Sequence, residues 1–295
     1  MRWSTFRTPD GAHGVGVWRA DELFPVPGAQ RLVDLLDGLS AAAEEAIRHS
    51  AAIDPATVEL LAPVPEPPAI RDFMAFEEHV VTASAAIGLT VDPLWYRQPV
   101  FYFTNPAAVI GPHADVAISP GSSAFDYELE VAAVIGRAGA DLTPTQAVDH
   151  IAGFVLFCDW SARDLQGAEM ALNLGPAKGK DSANGFGPWL VTTDELAERA
   201  AGRSYDIAMA AAVNGEEYSR GNLADLYWSF GEMIAYASRG TRVRAGDVIG
   251  SGTVGTGCIL ELGLVHGRDR YPYLVSGDEV ELEVECIGVL RNRIA

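Results

Sequence analysis

The segment that most limits how this chain can fold is FDYELEVAAVIG, residues 125–136, which places three acids at alternate positions in an otherwise apolar run. Alternation of this kind predicts a β-strand, in which successive side chains point to opposite faces. Asp126, Glu128 and Glu130 then share one face, with neighbouring members of the set about 6.6 Å apart at Cα. Two buried carboxylates at that separation repel each other unless a positive charge neutralises them.

The residues alone leave two explanations of this acidic face open. Most alternating strands are half-solvated, and the acids would then simply face water. The alternative is a buried divalent cation, since carboxylate oxygens suit Mg²⁺, Mn²⁺ or Ca²⁺ rather than zinc. Ala132 and Val134 continue the same face with small apolar side chains, which favours a buried acidic pocket.

A further acid, Asp159, closes the apolar run HIAGFVLFCDW, which is typical of a buried strand. The SARD that follows has the form of a capping box, with Ser161 as N-cap and Asp164 three residues later. This pattern predicts a helix that begins just after Asp159 and leaves Asp159 at the rim of a sheet. An aspartate before a helix usually serves only the turn, but capping by Ser161 would free Asp159 to act as a third metal ligand.

The proline-dense segment APVPEPPAI, residues 62–70, predicts an extended linker between a small N-terminal domain, 1–64, and a larger domain, 65–295. Helical spacing runs through residues 29–51, with a break at Gly38. In the larger domain, helices are expected over 71–88, with Asp72 near the start, and around 226–239. CILELGLV (258–265) and most other apolar segments read as strands, and Asn214-Gly215 as a hairpin turn. A β-rich α+β fold follows.

Composition excludes several classes of partner. The formal net charge of −19 argues against nucleic acid and against an anionic membrane surface. The three cysteines form no CxxC pair, and an odd number so widely spaced is no disulfide framework. We expect a reduced, cytoplasmic compartment, because the N-terminus has no apolar leader and no run reaches the ~18 apolar residues of a membrane span.

Two glycine-rich segments do not support nucleotide binding. GPAKGKD (175–181) lacks P-loop spacing and has Asp181 where Ser or Thr would bind Mg²⁺. GSGTVG (250–255) matches G-x-G-x-x-G, but a strand rather than the required helix is expected after it. The sequence contains no G-x-S-x-G segment, so it does not support a covalent mechanism through a serine or cysteine nucleophile. His79, beside two glutamates on an expected helix, is by itself most typical of a surface residue.

Taken in order, DYELE, DWSARDLQ about thirty residues later, LGPAKGKD with GPW, GSGTVG and ILELG resemble the fumarylacetoacetate hydrolase family. The resemblance extends from about residue 65 to about residue 290, and it rests on several motifs in one order. It implies a mixed β-sandwich roll as the catalytic domain behind a small N-terminal α/β domain. It also implies a homodimer formed through the catalytic domain.

The resemblance implies roles for individual residues. The metal ligands would be Glu128, Glu130, Asp159 and, in addition, Asp72. The catalytic groups would be His79, a glutamate that polarises it, Glu261, and a lysine that stabilises developing negative charge, Lys180. Substrate contacts would come from Tyr102, Gln166, Thr253 and Arg163. Asp126 shares the acidic face but has no ligand role in the family pattern, and we interpret it as flanking the site.

The function that the resemblance implies is metal-dependent hydrolysis of a C–C bond in a 1,3-dicarbonyl or acylpyruvate-like 2-oxo acid. Mg²⁺ or Mn²⁺, with Ca²⁺ as a further candidate, would chelate the substrate and stabilise its enolate, while His79 and Glu261 activate water. Alternatives that share such a site are an isomerase or tautomerase, a decarboxylase, or a dehydratase acting on a 2-oxo or 2-hydroxymuconate-type acid of aromatic catabolism. A non-catalytic metabolite-binding homologue is the remaining alternative.

The sequence departs from fumarylacetoacetases proper at positions that hold the substrate. Met74 stands where they have tyrosine and Gly88 where they have arginine, so fumarylacetoacetate itself is not the expected substrate. Thr82 stands where the smaller acylpyruvases carry a glutamate, which favours Glu261 as the partner of His79.

Overall fold

The computed structural model describes residues 1–86 and 88–295. The α-helices within these ranges are α1 Leu39–His49, α2 Glu77–Ala86, α3 Pro144–Val148, α4 Arg163–Met170, α5 Phe230–Ser238 and α6 Ile259–His266. Short 3₁₀ helices lie at Leu32–Gly38, Pro55–Thr57, Pro106–Ala108, Lys178–Lys180, Thr193–Arg199 and Leu223–Asp225. Among the helices described, none has the length and apolar character needed to span a membrane.

The same residues form strands, numbered in chain order. They are β1 Arg2–Arg7, β2 His13–Arg19, β3 Glu22–Pro25, β4 Glu59–Leu60, β5 Ile70–Phe73, β6 Phe101–Thr104, β7 Val109–Ile110, β8 Phe125–Asp126, β9 Leu129–Ile135, β10 Gly139–Ala140, β11 Ile151–Asp159, β12 Ser161–Ala162, β13 Asn184–Phe186, β14 Leu190–Thr192, β15 Ala200–Ala201, β16 Ser204–Tyr205, β17 Ala208–Val213, β18 Glu216–Asn222, β19 Arg242–Val243, β20 Val248–Gly250, β21 Glu279–Val284 and β22 Gly288–Arg293.

Twelve of these strands form one mixed sheet in the order β3-β2-β1-β14-β11-β9-β20-β5-β6, with β4, β7 and β13 attached beside that path. Most pairs are antiparallel, whereas β20 with β5 and β13 with β7 are parallel. A separate four-stranded sheet has the order β18-β17-β21-β22. This architecture confirms the predicted β-rich α+β class. Strands β1–β4 hydrogen-bond into the main sheet, and the division at residue 64 stays a prediction.

Strand β9 lies in the middle of the main sheet and is buried along its whole length. Leu129, Val131, Ala133 and Ile135 pack into one apolar cluster, while Ala132 and Val134 pack into another on the opposite face. The acids that precede and enter this strand are therefore buried as well, with Asp126, Glu128 and Glu130 only 0%, 5% and 0% exposed. The alternative of a half-solvated strand is excluded.

Several local predictions are confirmed. Residues 61–69 form neither helix nor strand, as their prolines predict. The helical segment of the N-terminal part is broken at Gly38, where a 3₁₀ helix gives way to α1. Asn214 and Gly215, with φ of +52° and +80°, make the tight turn between β17 and β18.

The predicted helix over 71–88 is wrong in its first third. Asp72 lies on β5, between β20 and β6 in the main sheet, and α2 begins only at Glu77. Sheet pairing on both sides of β5 overrides the helical spacing of the sequence. Residue 87, in the same predicted helix, lies outside the described residues.

Two other local predictions are wrong. Ser161 is not a helix N-cap: it lies on β12, where it pairs with Asp126 of β8, and α4 starts at Arg163 without a side-chain cap. CILELGLV forms helix α6 rather than a strand. A short apolar run does not distinguish a buried strand from a buried helix by its periodicity.

Candidate functional site

Four buried carboxylates meet where the central strands of the main sheet end. Asp72 comes from β5, Glu130 from β9 and Asp159 from the last position of β11, while Glu128 immediately precedes β9. One carboxylate oxygen each from Asp72, Glu128 and Glu130 lies within 4.8 Å of the other two. Asp159 is joined to this group through Lys180. The structure thus brings the predicted metal ligands together, and we call these four acids the carboxylate cluster.

Two cations reach only one side of the carboxylate cluster. Lys180 Nζ lies 2.5 Å from Glu128 Oε2 and 2.6 Å from Asp159 Oδ2. Arg163 Nη1 lies 2.8 Å from Glu128 Oε1. Both basic side chains are themselves buried. Because Asp72 and Glu130 have no comparable cation among the residues described, charge is compensated unevenly within the cluster.

The pKa values of the four acids follow this uneven distribution of cations. Burial alone would raise the pKa of Glu128, but Lys180 and Arg163 outweigh burial and hold that pKa well below its usual range. Burial raises the pKa of Asp72 and of Glu130 far above the usual carboxyl value, and the negative charges of Asp159 and Glu128 raise the pKa of both further. Burial also raises the pKa of Asp159, to about 6, although Lys180 acts in the opposite direction.

The carboxylate cluster fits a hard divalent cation. All its donors are oxygens, the ligand type that Mg²⁺, Mn²⁺ and Ca²⁺ prefer. Glu130 Oε2 and Asp159 Oδ1 are buried acceptors with no hydrogen-bond partner within the described ranges. A buried acceptor without a partner is destabilising, and a bound cation would satisfy both oxygens.

Gly250 provides the space for the Asp72 carboxylate. These two residues are partners in the β20–β5 pair, and a Cβ at Gly250 would lie 2.2 Å from Asp72 Oδ1. The backbone N–H of Gly252, a residue with φ of +77°, donates to the same oxygen at 3.3 Å. The first two glycines of GSGTVG therefore serve the carboxylate cluster.

His79 and Glu261 form a close pair between two helices. His79 Nδ1 of α2 lies 2.8 Å from Glu261 Oε2 of α6, within ion-pair distance, although the N–H direction does not meet hydrogen-bond geometry. The His79 side chain is 12% exposed, whereas that of Glu261 is fully buried. A buried carboxylate at Nδ1 favours the tautomer in which Nε2 is free to accept a proton. An imidazole held in this way can act as a general base.

Asp126 connects the carboxylate cluster to the helix that carries Glu261. Its carboxylate accepts from Arg163 Nε at 2.8 Å, and Arg163 in turn contacts Glu128. The same carboxylate accepts from the backbone N–H groups of Ile259 and Leu260, the first residues of α6, at 2.8 and 2.9 Å. Asp126 flanks the site as the sequence suggested. Its contact with α6, in addition to that with Arg163, could be found only once α6 was known to be a helix.

The strand predicted after GSGTVG is wrong, because helix α6 follows this segment. The start of α6 nevertheless does not offer a dinucleotide site. The N–H groups at the start of α6, which would receive a pyrophosphate, already donate to Asp126.

The residues expected to contact the substrate lie around the carboxylate cluster, and each is held by its own hydrogen bonds. The Tyr102 hydroxyl donates to Asp159, and the Thr253 hydroxyl donates to Glu130 Oε1 at 3.4 Å. Gln166 Oε1 accepts from Arg163 Nη1 at 3.2 Å. The Nε and Nη1 atoms of Arg163 are engaged by acids, so its head group holds Asp126 and Glu128 in position. A cavity of about 400 Å³ opens beside Lys180, with Phe103 and Lys178 among its lining residues.

Cys258 is a residue that the sequence reasoning missed. Its Sγ lies 3.4 Å from Glu261 Oε2, because the two residues are three apart on α6 and share a helix face. On a strand they would point to opposite faces, so the wrong prediction for CILELGLV concealed this contact.

The protein combines a β-rich α+β fold with the carboxylate cluster and the His79–Glu261 pair, which is the combination expected from the family resemblance. Comparison with known families identifies the same class of protein. The chain belongs to the fumarylacetoacetate hydrolase family: residues 69–295 match the family model described as Fumarylacetoacetate (FAA) hydrolase C-terminal. The resemblance noted from the sequence is thereby confirmed.

Curated relatives include oxaloacetate tautomerases. The chain is 32% identical over 199 residues to oxaloacetate tautomerase FAHD2A, mitochondrial, of Homo sapiens, an alignment that covers 67% of this chain and 59% of the relative. It is 28% identical over 239 residues to oxaloacetate tautomerase YisK of Bacillus subtilis (strain 168), covering 80% and 73%. The matched region thus spans less than two thirds of the length of the human relative.

Solved structures share the fold along the whole chain. A fumarylacetoacetate hydrolase from Exiguobacterium antarcticum has a TM-score of 0.78 at 27% identity, covering 100% of this chain and 99% of that one. A maleylpyruvate hydrolase from Sphingobium sp. SYK-6, solved in complex with manganese(II) ion and pyruvate, has a TM-score of 0.73 at 23% identity, covering 100% and 99%. The predicted family fold is confirmed.

Proposed function

We propose that this protein is a metal-dependent hydrolase that cleaves a C–C bond in a 1,3-dicarbonyl or acylpyruvate-like 2-oxo acid. One observation carries the proposal. A buried oxygen cluster suited to a divalent cation is joined, through Arg163 and Asp126, to the helix that holds Glu261 against His79. A cation site and a general base in one network are the two parts that such a reaction needs.

Glu128, Glu130, Asp159 and Asp72 would hold Mg²⁺ or Mn²⁺, with Ca²⁺ as a further candidate. The bound cation would supply Lewis-acid stabilisation of the negative charge that develops on adjacent oxygens of the substrate. Manganese(II) and pyruvate in the Sphingobium maleylpyruvate hydrolase support this choice of metal and of 2-oxo acid.

His79 would act as the base. Glu261, fully buried at 2.8 Å from Nδ1, orients the imidazole and stabilises the imidazolium that forms when Nε2 takes a proton from water. The resulting hydroxide attacks the carbonyl carbon. As the tetrahedral centre collapses to a carboxylic acid, the electron pair of the broken C–C bond leaves with the other fragment as its enolate, which takes back the proton that His79 holds. Lys180, a buried cation at the cluster, stabilises the negative charge of this step. The hydroxyl groups of Tyr102 and Thr253 lie against two acids of the carboxylate cluster, Asp159 and Glu130 respectively.

Tautomerisation of an oxaloacetate-type acid is the second candidate function. The oxaloacetate tautomerases among the relatives favour it. The same His79 would then remove a proton from the carbon between two carbonyl groups, the enolate oxygen would take up a proton to give the enol, and no water would be consumed. Decarboxylation and dehydration use the same stabilised charge and remain distinguishable by their products.

A substrate panel tests the proposal. Acylpyruvates, fumarylacetoacetate, oxaloacetate and a 2-hydroxymuconate-type dienoate would be incubated with EDTA-treated protein and then with Mg²⁺ or Mn²⁺ restored. Enol absorbance and NMR of the products would be followed for the native chain, Glu128→Gln and Glu261→Gln. Metal-dependent formation of two smaller products, lost in both variants, supports the hydrolase.

Other outcomes of the panel redirect the assignment. Enol loss with the carbon skeleton intact identifies a tautomerase, and CO₂ release identifies a decarboxylase. Turnover of Glu261→Gln equal to that of the native chain at saturating metal would rule out the His79–Glu261 base. Metal binding without turnover of any substrate would favour a metabolite-binding homologue.

We further propose that the chain acts on small molecules in the cytoplasm as a homodimer. The family relationship supports the small-molecule substrate and the homodimer, and sedimentation equilibrium of the purified chain tests the oligomeric state.

A further inference from the structure

His79, Cys258 and Glu261 form a second set of potential metal ligands, next to the carboxylate cluster, since Cys258 and Glu128 are partners in an isolated β-bridge. His79 Nδ1 and Cys258 Sγ lie 2.8 and 3.4 Å from the same atom, Glu261 Oε2. One ligand atom from each of the three residues lies within 4.8 Å of the other two. We call this group the mixed-donor cluster, since it offers one nitrogen, one sulfur and one oxygen.

The local fold holds these three side chains together. Cys258 is the N-cap residue of α6 and Glu261 is three positions later, so both side chains lie on the helix face that meets α2. His79 approaches from α2 and is 12% exposed. Cys258 and Glu261 are fully buried, so His79 is the member of the three that contacts solvent.

We propose that the mixed-donor cluster is an inhibitory site for Zn²⁺. Nitrogen, thiolate and carboxylate donors are the ligands of zinc, whereas Mg²⁺ and Mn²⁺ prefer oxygen. Tetrahedral zinc with ordinary bond lengths places its ligand atoms about 3.3–3.5 Å apart, so separations of 2.8 and 3.4 Å need only small shifts. Thiolate and carboxylate together balance the charge of the ion, which suits a buried position.

Zinc at this site would inhibit without covering the substrate pocket, and this part rests on the proposed function. Coordination of Nδ1 forces the proton of the neutral imidazole onto Nε2. Cys258 loses its thiol proton to solvent, so one proton is released for each zinc bound, and no electrons are transferred. An Nε2 that already carries a proton cannot accept one from water, so the general base is lost.

Binding can be tested independently of any activity, with Co²⁺ as the probe. Thiolate coordination to Co²⁺ produces a ligand-to-metal charge-transfer absorption in the near ultraviolet. Protein saturated with Mg²⁺ would be titrated with Co²⁺ as the native chain and as Cys258→Ser, Cys286→Ser and Glu128→Gln. Serine is a favourable N-cap residue, so Cys258→Ser should fold, and its melting temperature would be compared with that of the native chain.

We expect the absorption in the native chain, in Cys286→Ser and in Glu128→Gln, and its loss in Cys258→Ser. Cys286→Ser tests for thiol binding elsewhere, and Glu128→Gln tests for binding at the carboxylate cluster. Absorption that persists in Cys258→Ser, or that is absent from the native chain, would overturn the proposal. These results hold whichever substrate the protein acts on, so failure of the proposed function would be seen separately, in the substrate panel.

Where turnover is found, zinc inhibition gives the second test. The concentration of Zn²⁺ that halves each variant's own rate should rise roughly tenfold or more in Cys258→Ser, and excess Mg²⁺ should not relieve inhibition of the native chain. Relief by Mg²⁺, or equal zinc sensitivity of the native chain and Cys258→Ser, would place the inhibitory zinc in the carboxylate cluster and contradict the proposal.

Discussion

Glu128 and Glu130 are two residues apart, are almost equally buried and face the same cluster, yet their pKa values move in opposite directions. Glu128 lies 2.5 Å from Lys180 Nζ and 2.8 Å from Arg163 Nη1. Glu130 accepts one long hydrogen bond from Thr253, at 3.4 Å, and its other oxygen has no partner in the part of the chain described. Equal burial therefore does not mean equal electrostatics.

The comparison teaches where positive charge is missing. On the side of the cluster with Glu128 and Asp159, Lys180 already provides a positive charge. The side with Asp72 and Glu130 has no such cation among the described residues. Two adjacent buried acids without a cation are costly when ionised. A bound divalent cation would change the energetics of the Asp72–Glu130 side most.

The largest effect is expected when Lys180 is removed from the side of the carboxylate cluster that contains Glu128 and Asp159. Lys180→Met should reduce the unfolding free energy of the metal-free protein by about 3–5 kcal/mol, because Glu128 and Asp159 are left buried without their shared cation. Urea denaturation in EDTA at neutral pH measures this loss, and saturating Mn²⁺ should restore part of it. Lys178→Met is the matched control: that lysine is exposed and pairs with Asp181, so its loss should be below about 1 kcal/mol. Equal losses in both variants would contradict the assignment.

Neutralising each glutamate in turn should give unequal results. Glu128→Gln should destabilise the metal-free protein by about 1–3 kcal/mol, because Lys180 and Arg163 lose a charged partner. Glu130→Gln should be neutral or slightly stabilising, because the raised pKa of Glu130 means that the metal-free fold must hold it protonated, a cost that glutamine avoids. Both variants should bind Mn²⁺ more than roughly tenfold more weakly by calorimetry. Greater destabilisation by Glu130→Gln than by Glu128→Gln would reverse the comparison.

Lowering the pH should weaken metal binding as Asp159 takes up a proton. Its pKa in the metal-free fold is raised from 3.8 to about 6, so the folded chain binds this proton more tightly than the unfolded chain does. From this group alone, metal-free stability falls as pH rises from about 4 to about 6. Metal affinity moves the other way and should fall by up to about tenfold per pH unit below 6 from Asp159 alone, and the raised pKa values of Asp72 and Glu130 should steepen the fall. Mn²⁺ calorimetry between about pH 5 and about pH 7 measures the change, and a constant affinity over that range would contradict it.

The smallest effect is expected at the single hydrogen bond to Glu130. Thr253→Val keeps the side-chain shape but removes the hydroxyl, and a bond of 3.4 Å should contribute about 0.5 kcal/mol. The Kd for Mn²⁺ should therefore rise by about twofold to threefold. Thr253→Ser keeps the hydroxyl and should bind like the native chain. A tenfold loss would show that Thr253 does more than support Glu130.

The carboxylate cluster was accessible from the sequence where its acids follow a simple period. Glu128 and Glu130 stand out because a strand has a repeat of two, and Asp159 because it ends an apolar run. Their role as a group came from the family resemblance. Lys180 and Arg163 contact acids that are 21 or more residues away in the chain, so no local pattern pairs them with particular acids.

The remaining parts depended on tertiary structure. Asp72 was placed on a helix because the sequence around it has helical spacing, whereas β20 and β6 hold it in a sheet. Helix α6 was taken for a strand because CILELGLV is apolar throughout, and with that error the link from Asp126 to Glu261 and the contact of Cys258 were hidden. Ser161 looked like an N-cap until its pairing with Asp126 was known.

The close approach of Gly250 to Asp72 restricts how this protein can evolve. A single methyl group at position 250 would collide with Asp72 Oδ1 at 2.2 Å, so the two positions are not free to vary separately. Loss of the carboxylate at position 72 would remove the selection for glycine at position 250, and a lineage that then filled position 250 could not regain Asp72 by one substitution. The pair therefore acts as an evolutionary ratchet on Asp72, the proposed fourth ligand.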